Sequence, residues 1–205
     1  MKVLVYSSAQ AFGGHELIAL KGLRALLKAG HILSVCFYEL NYLLRENLVV
    51  LQAEFPDSLE LLPTRFKTKS FQIARSWLFI NRLFALKKII GEVKPERILI
   101  VQGDIEQGSE MVLAARLSNA WTVSYIPMIL KGAERGIRLP YLRDLLSAPV
   151  YRILNRVIVI SDYFRDQAFR FGAAEVKTVF NTIDEDFFVA EKKRHDAREQ
   201  LGISS

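Results

Sequence analysis

Short, almost wholly apolar runs alternate along this chain with longer stretches whose apolar residues recur every three or four positions. The runs at 3–6, 32–38, 59–62, 97–102, 122–126, 157–160 and 176–180 predict strands buried on both faces, because a half-exposed strand would alternate apolar with polar residues. Between them, helical spacing predicts helices over 14–29, 41–54, 71–93, 109–118, 142–154 and 163–171. Leu17, Leu20, Leu23 and Leu27 form the first helix's apolar stripe, and Gly30 ends it by tolerating the left-handed conformation. Lys94 stops the long helix, since a residue before proline is pushed out of the helical region.

Strand–helix alternation of this kind predicts an α/β, Rossmann-like three-layer domain: a mostly parallel sheet of about seven strands with helices on both faces. The helices supply the long crossovers that parallel neighbours require. Ligands of such sheets bind at the carboxyl ends of the strands, so chemistry is expected in the loops after Tyr6, Gln102, Ile126, Ile160 and Phe180.

Composition narrows the partners. The 205 residues fit one domain or slightly more, and 51% hydrophobic with 24% charged content describes a globular chain. A net charge of +6 favours an anionic partner: phosphate, nucleic acid or a lipid surface. No zinc finger, helix-turn-helix or RNA-binding signature supports nucleic acid. The single cysteine, Cys36, excludes an internal disulfide and a cysteine-built zinc cage, and its apolar run makes it a buried strand residue. The N-terminal apolar run is too short for a signal peptide. Arg82 and Arg152 break the longest apolar stretches well short of the ~20 residues a spanning helix needs. The expected location is cytoplasmic, with peripheral contact at the inner membrane face as the one membrane option.

Three loops carry candidate chemistry. The first, 7–14, ends in Gly13 and Gly14 at the mouth of a helix, where free amides and the helix dipole favour a phosphate. His15 and Glu16 follow in the first turn and are candidate ligand contacts, although Glu16 also suits a helix N-terminus without one. The second, 102–108, carries Asp104 and Glu106, suited to acid/base work, sugar-hydroxyl binding, a metal, or simply capping the next helix. The third holds Tyr125, Lys131 and Arg135 and reads as an acceptor-binding segment. Separately, 65–88 contains Arg65, Lys67, Lys69, Arg75, Arg82, Lys87 and Lys88 without one acidic residue. Phe71, Trp77, Phe79 and Phe84 are interleaved with them. Cations with aromatics suit an anionic membrane surface, with Arg65, Lys67, Lys69, Arg75, Trp77 and Arg82 as contacts, but equally a solvated helix face.

The order of these motifs resembles the N-terminal, acceptor-side half of a family 4 glycosyltransferase of the GT-B type. The likeness rests on the opening strand with Gly13-Gly14-His15-Glu16, on Gly30-His31, and on the strand closing at Ser161. It continues through Phe171-Gly172-Ala173, Asn181-Thr182-Ile183-Asp184 and Phe187-Phe188 to Arg198-Glu199-Gln200-Leu201-Gly202-Ile203. The resemblance implies a Rossmann-like domain over 1–186, and over 187–205 a hinge with the lead-in to a donor-binding domain absent from this chain. It implies transfer of a sugar from a nucleotide-diphosphate donor to a carbohydrate or lipid-linked acceptor, usually with retention and without a metal or other cofactor. Gly13 and Gly14 would approach the donor phosphates, and Ser161 and Asn181 would lie near substrate. The missing domain would grip the nucleotide, so this chain alone would lack turnover, and its loops facing that domain would be exposed.

Two departures matter. Thr182 stands where members often carry glycine, and Ser124-Tyr125-Ile126-Pro127-Met128 lacks the histidine many have there, so no catalytic residue is assigned. A non-catalytic acceptor- or partner-binding module, and half of a GT-B-like nucleotide-sugar epimerase, are the alternatives.

Overall fold

A computed structural model describes residues 1–78 and 80–181. Thr182, His195 and the segment 187–205 lie outside the described residues. Seven strands form one all-parallel sheet: β1 (Lys2–Ser7), β2 (Ile32–Tyr38), β3 (Leu59–Thr64), β4 (Arg97–Val101), β5 (Thr122–Tyr125), β6 (Arg156–Val159) and β7 (Val176–Thr178). Their spatial order is β3-β2-β1-β4-β5-β6-β7.

The helices are α1 (Gly14–Lys28), α2 (Tyr42–Glu54), α3 (Gln72–Leu78), α4 (Ile80–Val93), α5 (Ser109–Leu117), α6 (Pro140–Ile153) and α7 (Asp162–Arg170). The stretch expected as one helix over 71–93 is thus described as α3 and α4 on either side of residue 79. Phe71 is not helical; it sits at φ 58°. The α6 helix starts two residues earlier than the apolar spacing suggested. Pro140 supplies its first position, where a missing N–H is harmless. Gly30 ends α1 as expected, with φ 80° and its N–H on the Leu27 carbonyl at 2.9 Å.

The two faces of the sheet sort the apolar residues. Val3, Val5, Leu33, Val35, Phe37 and Val101 point toward α1 and α2, packing on Leu23, Leu27, Leu44, Leu48 and Leu51. Leu4, Tyr6, Cys36, Ile98, Ile100, Val157 and Val159 point toward α3 to α7, packing on Leu86, Ile90, Met111, Val150, Tyr151 and Ala168. Burial on both faces explains why the strands read as unbroken apolar runs. Each such buried side chain contributes about 1.5–3 kcal/mol. Cys36 is fully buried, and that burial pushes its thiol up to about 12, so it behaves as a small core residue.

The chain builds outward from β1 to β2 and β3, then returns through α3 and α4 to β4 on the other side of β1. The β1–β4 boundary is therefore where the winding reverses. In such sheets ligands usually bind outside the carboxyl ends of the strands at this reversal, here beside the β1–α1 and β4–α5 loops.

Candidate functional site

The β1–α1 loop reaches this region already anchored. Asn41 accepts from Leu44 N at 3.3 Å as the N-cap of α2, and its amide donates to the Ala9 carbonyl at 3.1 Å. Ser8 Oγ lies 2.9 Å from Thr68 Oγ1, and Gln10 Nε2 donates to the Thr68 carbonyl at 2.6 Å. Glu16, 1% exposed, accepts from Gly13 N–H through Oε2 at 2.8 Å. Its other oxygen, Oε1, lies 2.5 Å from His15 Nε2. Glu16 thus satisfies an otherwise orphaned amide at the helix mouth, as a helix N-terminal acid would without a ligand, and its other oxygen faces the imidazole.

The β4–α5 loop meets His15 from the other side. A Cβ placed on Gly103 would lie 2.9 Å from Gln107 Oε1 and 3.2 Å from His15 Cε1, so only glycine lets the imidazole lie this close. Gln102 is buried; its amide donates to the carbonyls of Ile105 and Gln107, while Ser124 Oγ donates to its oxygen. Gly103 N–H donates to Gln107 Oε1 at 2.7 Å. Gly108 sits at φ 77°, and a Cβ there would be 3.0 Å from Ile100 Cγ2. Sequence reasoning expected this loop to be exposed. Instead 105–108 are buried, because glutamine side chains satisfy the backbone that water would otherwise have to reach.

The two acids of this loop have separate duties. Asp104 accepts from the N–H groups of Glu106 at 2.8 Å and Gln107 at 3.0 Å, and pairs with Arg135. Both members of that pair keep more than a quarter of their side chain exposed, 28% and 29%, and so stay within reach of a ligand. Glu106 is only 6% exposed and grips Arg143 through both oxygens, at 2.6 and 2.9 Å, while also accepting from Gln72 N–H. Burial raises its carboxyl pKa, with Arg143 opposing. Glu106, named above as a possible substrate contact, is seen here as a buried clamp that joins α3 and α6 at the start of α5.

Beneath it lies a carboxylate that sequence reasoning missed. Glu110 has no exposed surface and accepts from Tyr6 OH at 2.7 Å, from Arg82 at 2.7 Å and from Gln72 Nε2 at 3.2 Å. Arg82, expected on an exposed face, whether solvated or against a membrane, is turned inward to this acid, with its guanidinium 5.0 Å from the Phe66 ring centre. Phe71 likewise is covered by Arg143, at 5.3 Å. The signal that could have found this pair was Glu110 at the head of the apolar run Met111 to Ala115, since a buried acid needs a partner.

The remaining expected residues scatter. Tyr125 is 8% exposed on the α1 and α2 side of the sheet, and its hydroxyl has no hydrogen-bond partner among the described residues. Lys131 is exposed, and its backbone N–H bonds to Glu134. Ser161 caps α7 by accepting from Phe164 N–H at 3.4 Å, and Asn181 is exposed at the end of the described residues. Among the described residues no three His, Cys, Asp or Glu side chains group as a metal site, and no helix is long and apolar enough to cross a membrane.

The geometry defines a Rossmann-like α/β domain whose candidate site lies where the β1–α1 and β4–α5 loops meet. No protein-family profile matches the chain, and no curated protein matches it in sequence. Solved structures do match its fold. The UDP-GlcNAc 2-epimerase of Neisseria meningitidis, solved with UDP-GlcNAc bound, aligns with 100% of this chain and 55% of its own, at TM-score 0.59 and 14% identity. MurG of Acinetobacter baumannii aligns over 97% of this chain and 48% of its own, at TM-score 0.54 and 16% identity. A UGT transferase of Siraitia grosvenorii, solved with UDP, covers 92% of this chain and 54% of its own, at TM-score 0.55 and 12% identity. The chain therefore spans about half the length of the structures it matches. At these identities the likeness is one of fold, the fold of GT-B glycosyltransferases and UDP-GlcNAc 2-epimerases.

Proposed function

We propose that the chain is the N-terminal, acceptor-side half of a retaining glycosyltransferase akin to family 4. It would act on a nucleotide-diphosphate sugar and a carbohydrate or lipid-linked acceptor, and would depend on a separate donor-binding domain for turnover. One observation carries this reading. His15, Gly103 and the two-glycine turn Gly13-Gly14 converge at the point where the winding reverses, in a fold whose solved examples include proteins holding UDP or UDP-GlcNAc.

Each part of the candidate site has a chemical use in that reading. Gly13 and Gly14 admit a diphosphate to the backbone at the start of α1, where the helix dipole favours negative charge. His15, whose Nε2 faces the buried Glu16 carboxylate, is placed to hydrogen-bond a sugar hydroxyl. The Asp104–Arg135 pair is placed to contact sugar hydroxyls. Stabilisation of the departing diphosphate falls to the other domain, and no metal or further cofactor is invoked.

Titration of isotopically labelled chain with UDP, followed by amide NMR shifts, tests the assignment. Shifts at Gly13, Gly14, His15 and Gly103 are expected; shifts only elsewhere, or none at saturating UDP, overturn it. The purified chain is expected to show no sugar transfer, and robust transfer by it alone would sink the division of labour. Complete coverage of the chain by the Neisseria meningitidis epimerase favours a second reading, half of a nucleotide-sugar epimerase. Once a donor domain is supplied, an epimerised nucleotide sugar identifies that reading, and a glycosylated acceptor the first.

A further inference from the structure

A cavity of about 210 Å³ lies between α3, α4 and the start of α5, with Lys69, Gln72, Ser76, Asn81, Arg82 and Glu110 in its wall. Every described lining residue is polar or charged. The volume is below the ~300 Å³ at which drug-sized sites begin, so the space suits a single small ring or less. The wall is tied to the candidate site on two sides. Gln72 N–H donates to Glu106 of the β4–α5 loop at 3.1 Å, and Thr68, next to Lys69, bonds to Ser8 and Gln10 of the β1–α1 loop.

Hydrogen-bonding capacity in this wall is lopsided. The acceptor oxygens already carry donors: Glu110 Oε1 accepts from Tyr6 and Arg82, its Oε2 from Gln72 Nε2, and Gln72 Oε1 from Lys69 N–H at 3.0 Å. Ser76 Oγ is shared between the Gln72 carbonyl and Ser109. Donors remain. The Lys69 side chain is exposed and its ammonium has no partner among the described residues. Arg82 Nε has no hydrogen-bond partner there either. Arg75 also lines the cavity but is engaged, with its Nε on the Ser70 carbonyl at 3.1 Å, and adds nothing to this surplus. The buried acids nearby are spent: Glu110 faces Arg82 and Glu106 faces Arg143, so neither balances Lys69. Spare donors around an unbalanced cation favour an oxyanion, because charge-assisted hydrogen bonds are the strong ones. The Asn81 amide can both donate to and accept from hydroxyl groups beside it. No aromatic side chain is among the described lining residues, so a nucleobase would find no stacking partner.

We propose that this cavity binds a small acidic sugar, with its carboxylate or phosphate at Lys69 and its hydroxyls at Asn81. The acceptor of the proposed transfer would then be an acidic sugar residue. That last step rests on the acceptor-side reading, whereas the oxyanion site stands on the cavity alone.

The test is titration of the isotopically labelled whole chain with glucuronate, glucose 6-phosphate and glucose, followed by amide NMR shifts. Saturable shifts at Lys69, Gln72, Ser76 and Asn81 are expected with an acidic sugar, with affinity at least about tenfold above that for glucose. Tighter binding of glucuronate assigns the carboxylate, and tighter binding of glucose 6-phosphate the phosphate. Lys69→Gln, checked for an unchanged thermal melt, is expected to remove the preference for acid. Lys28→Gln, the same charge change on α1 across the sheet, is expected to preserve it. Equal binding of glucose, no saturable shift with either acid, or an unaltered preference in Lys69→Gln overturns the site. No nucleotide is present, so a failed UDP titration leaves this site standing, and failure here leaves the UDP assignment standing.

Discussion

Glu110 shows how much one buried charge dictates about its neighbours. Tyr6, Gln72 and Arg82 come from β1, α3 and α4 to satisfy it, which ties three distant parts of the chain together. Glu110→Leu leaves Arg82 without its partner and is expected to cost about 3–5 kcal/mol in a urea melt. The double variant Arg82→Met with Glu110→Leu is expected to recover most of that loss, because well-packed apolar residues can replace a buried ion pair. Burial raises the Glu110 carboxyl pKa above its ordinary 4.5, with Arg82 opposing. Between these two values the folded protein keeps a proton that the unfolded chain has released. The group's stabilisation is thus fully present below about pH 4.5 and is lost as pH rises through the folded value. Glu110→Gln is expected to flatten this dependence, so its stability relative to the parent improves with rising pH. A parallel pair of pH profiles would refute the shift.

At the scale of elements, the helix and strand positions follow from apolar spacing, and the loops follow from side chains that reach back to the backbone. Strand β2 matches its expected limits because an unbroken apolar run and Gly30 leave little latitude. The 102–108 loop does not follow so directly: its burial depends on Gln102, Gln107 and Ser124, which have no periodicity. Asn41 belongs to both descriptions. Asn41→Ala is expected to cost about 1–2 kcal/mol in thermal melting, from the lost α2 cap. Asn41→Asp can accept from Leu44 N–H but cannot donate to the Ala9 carbonyl. It is expected to recover most of the stability while leaving faster amide exchange in the β1–α1 loop. Full recovery of both would show that the Ala9 contact contributes nothing to loop order.

Across the whole molecule, stability should grade from the centre of the sheet outward. Strands β1 and β4 are paired on both sides and buried on both faces, whereas β7 is a three-residue edge strand with no buried residue. Hydrogen exchange is therefore expected to be slowest at Leu4, Val5, Ile98 and Ile100, and fastest among the strands at Val176 to Thr178. Uniform protection would contradict that order. By itself, the sequence determined the strand–helix alternation, the doubly buried sheet, the apolar fate of Cys36 and the glycine turn at the β1 exit. These depend on local spacing and on residues with narrow conformational options. Only the tertiary structure decided that His15 would meet Gly103, that Arg82 would turn from the surface to Glu110, and that Glu106 would be clamped by Arg143. Those pairings join residues up to 88 apart in number, as His15 and Gly103 are, and are selected by strand order and by the cost of leaving a buried charge alone.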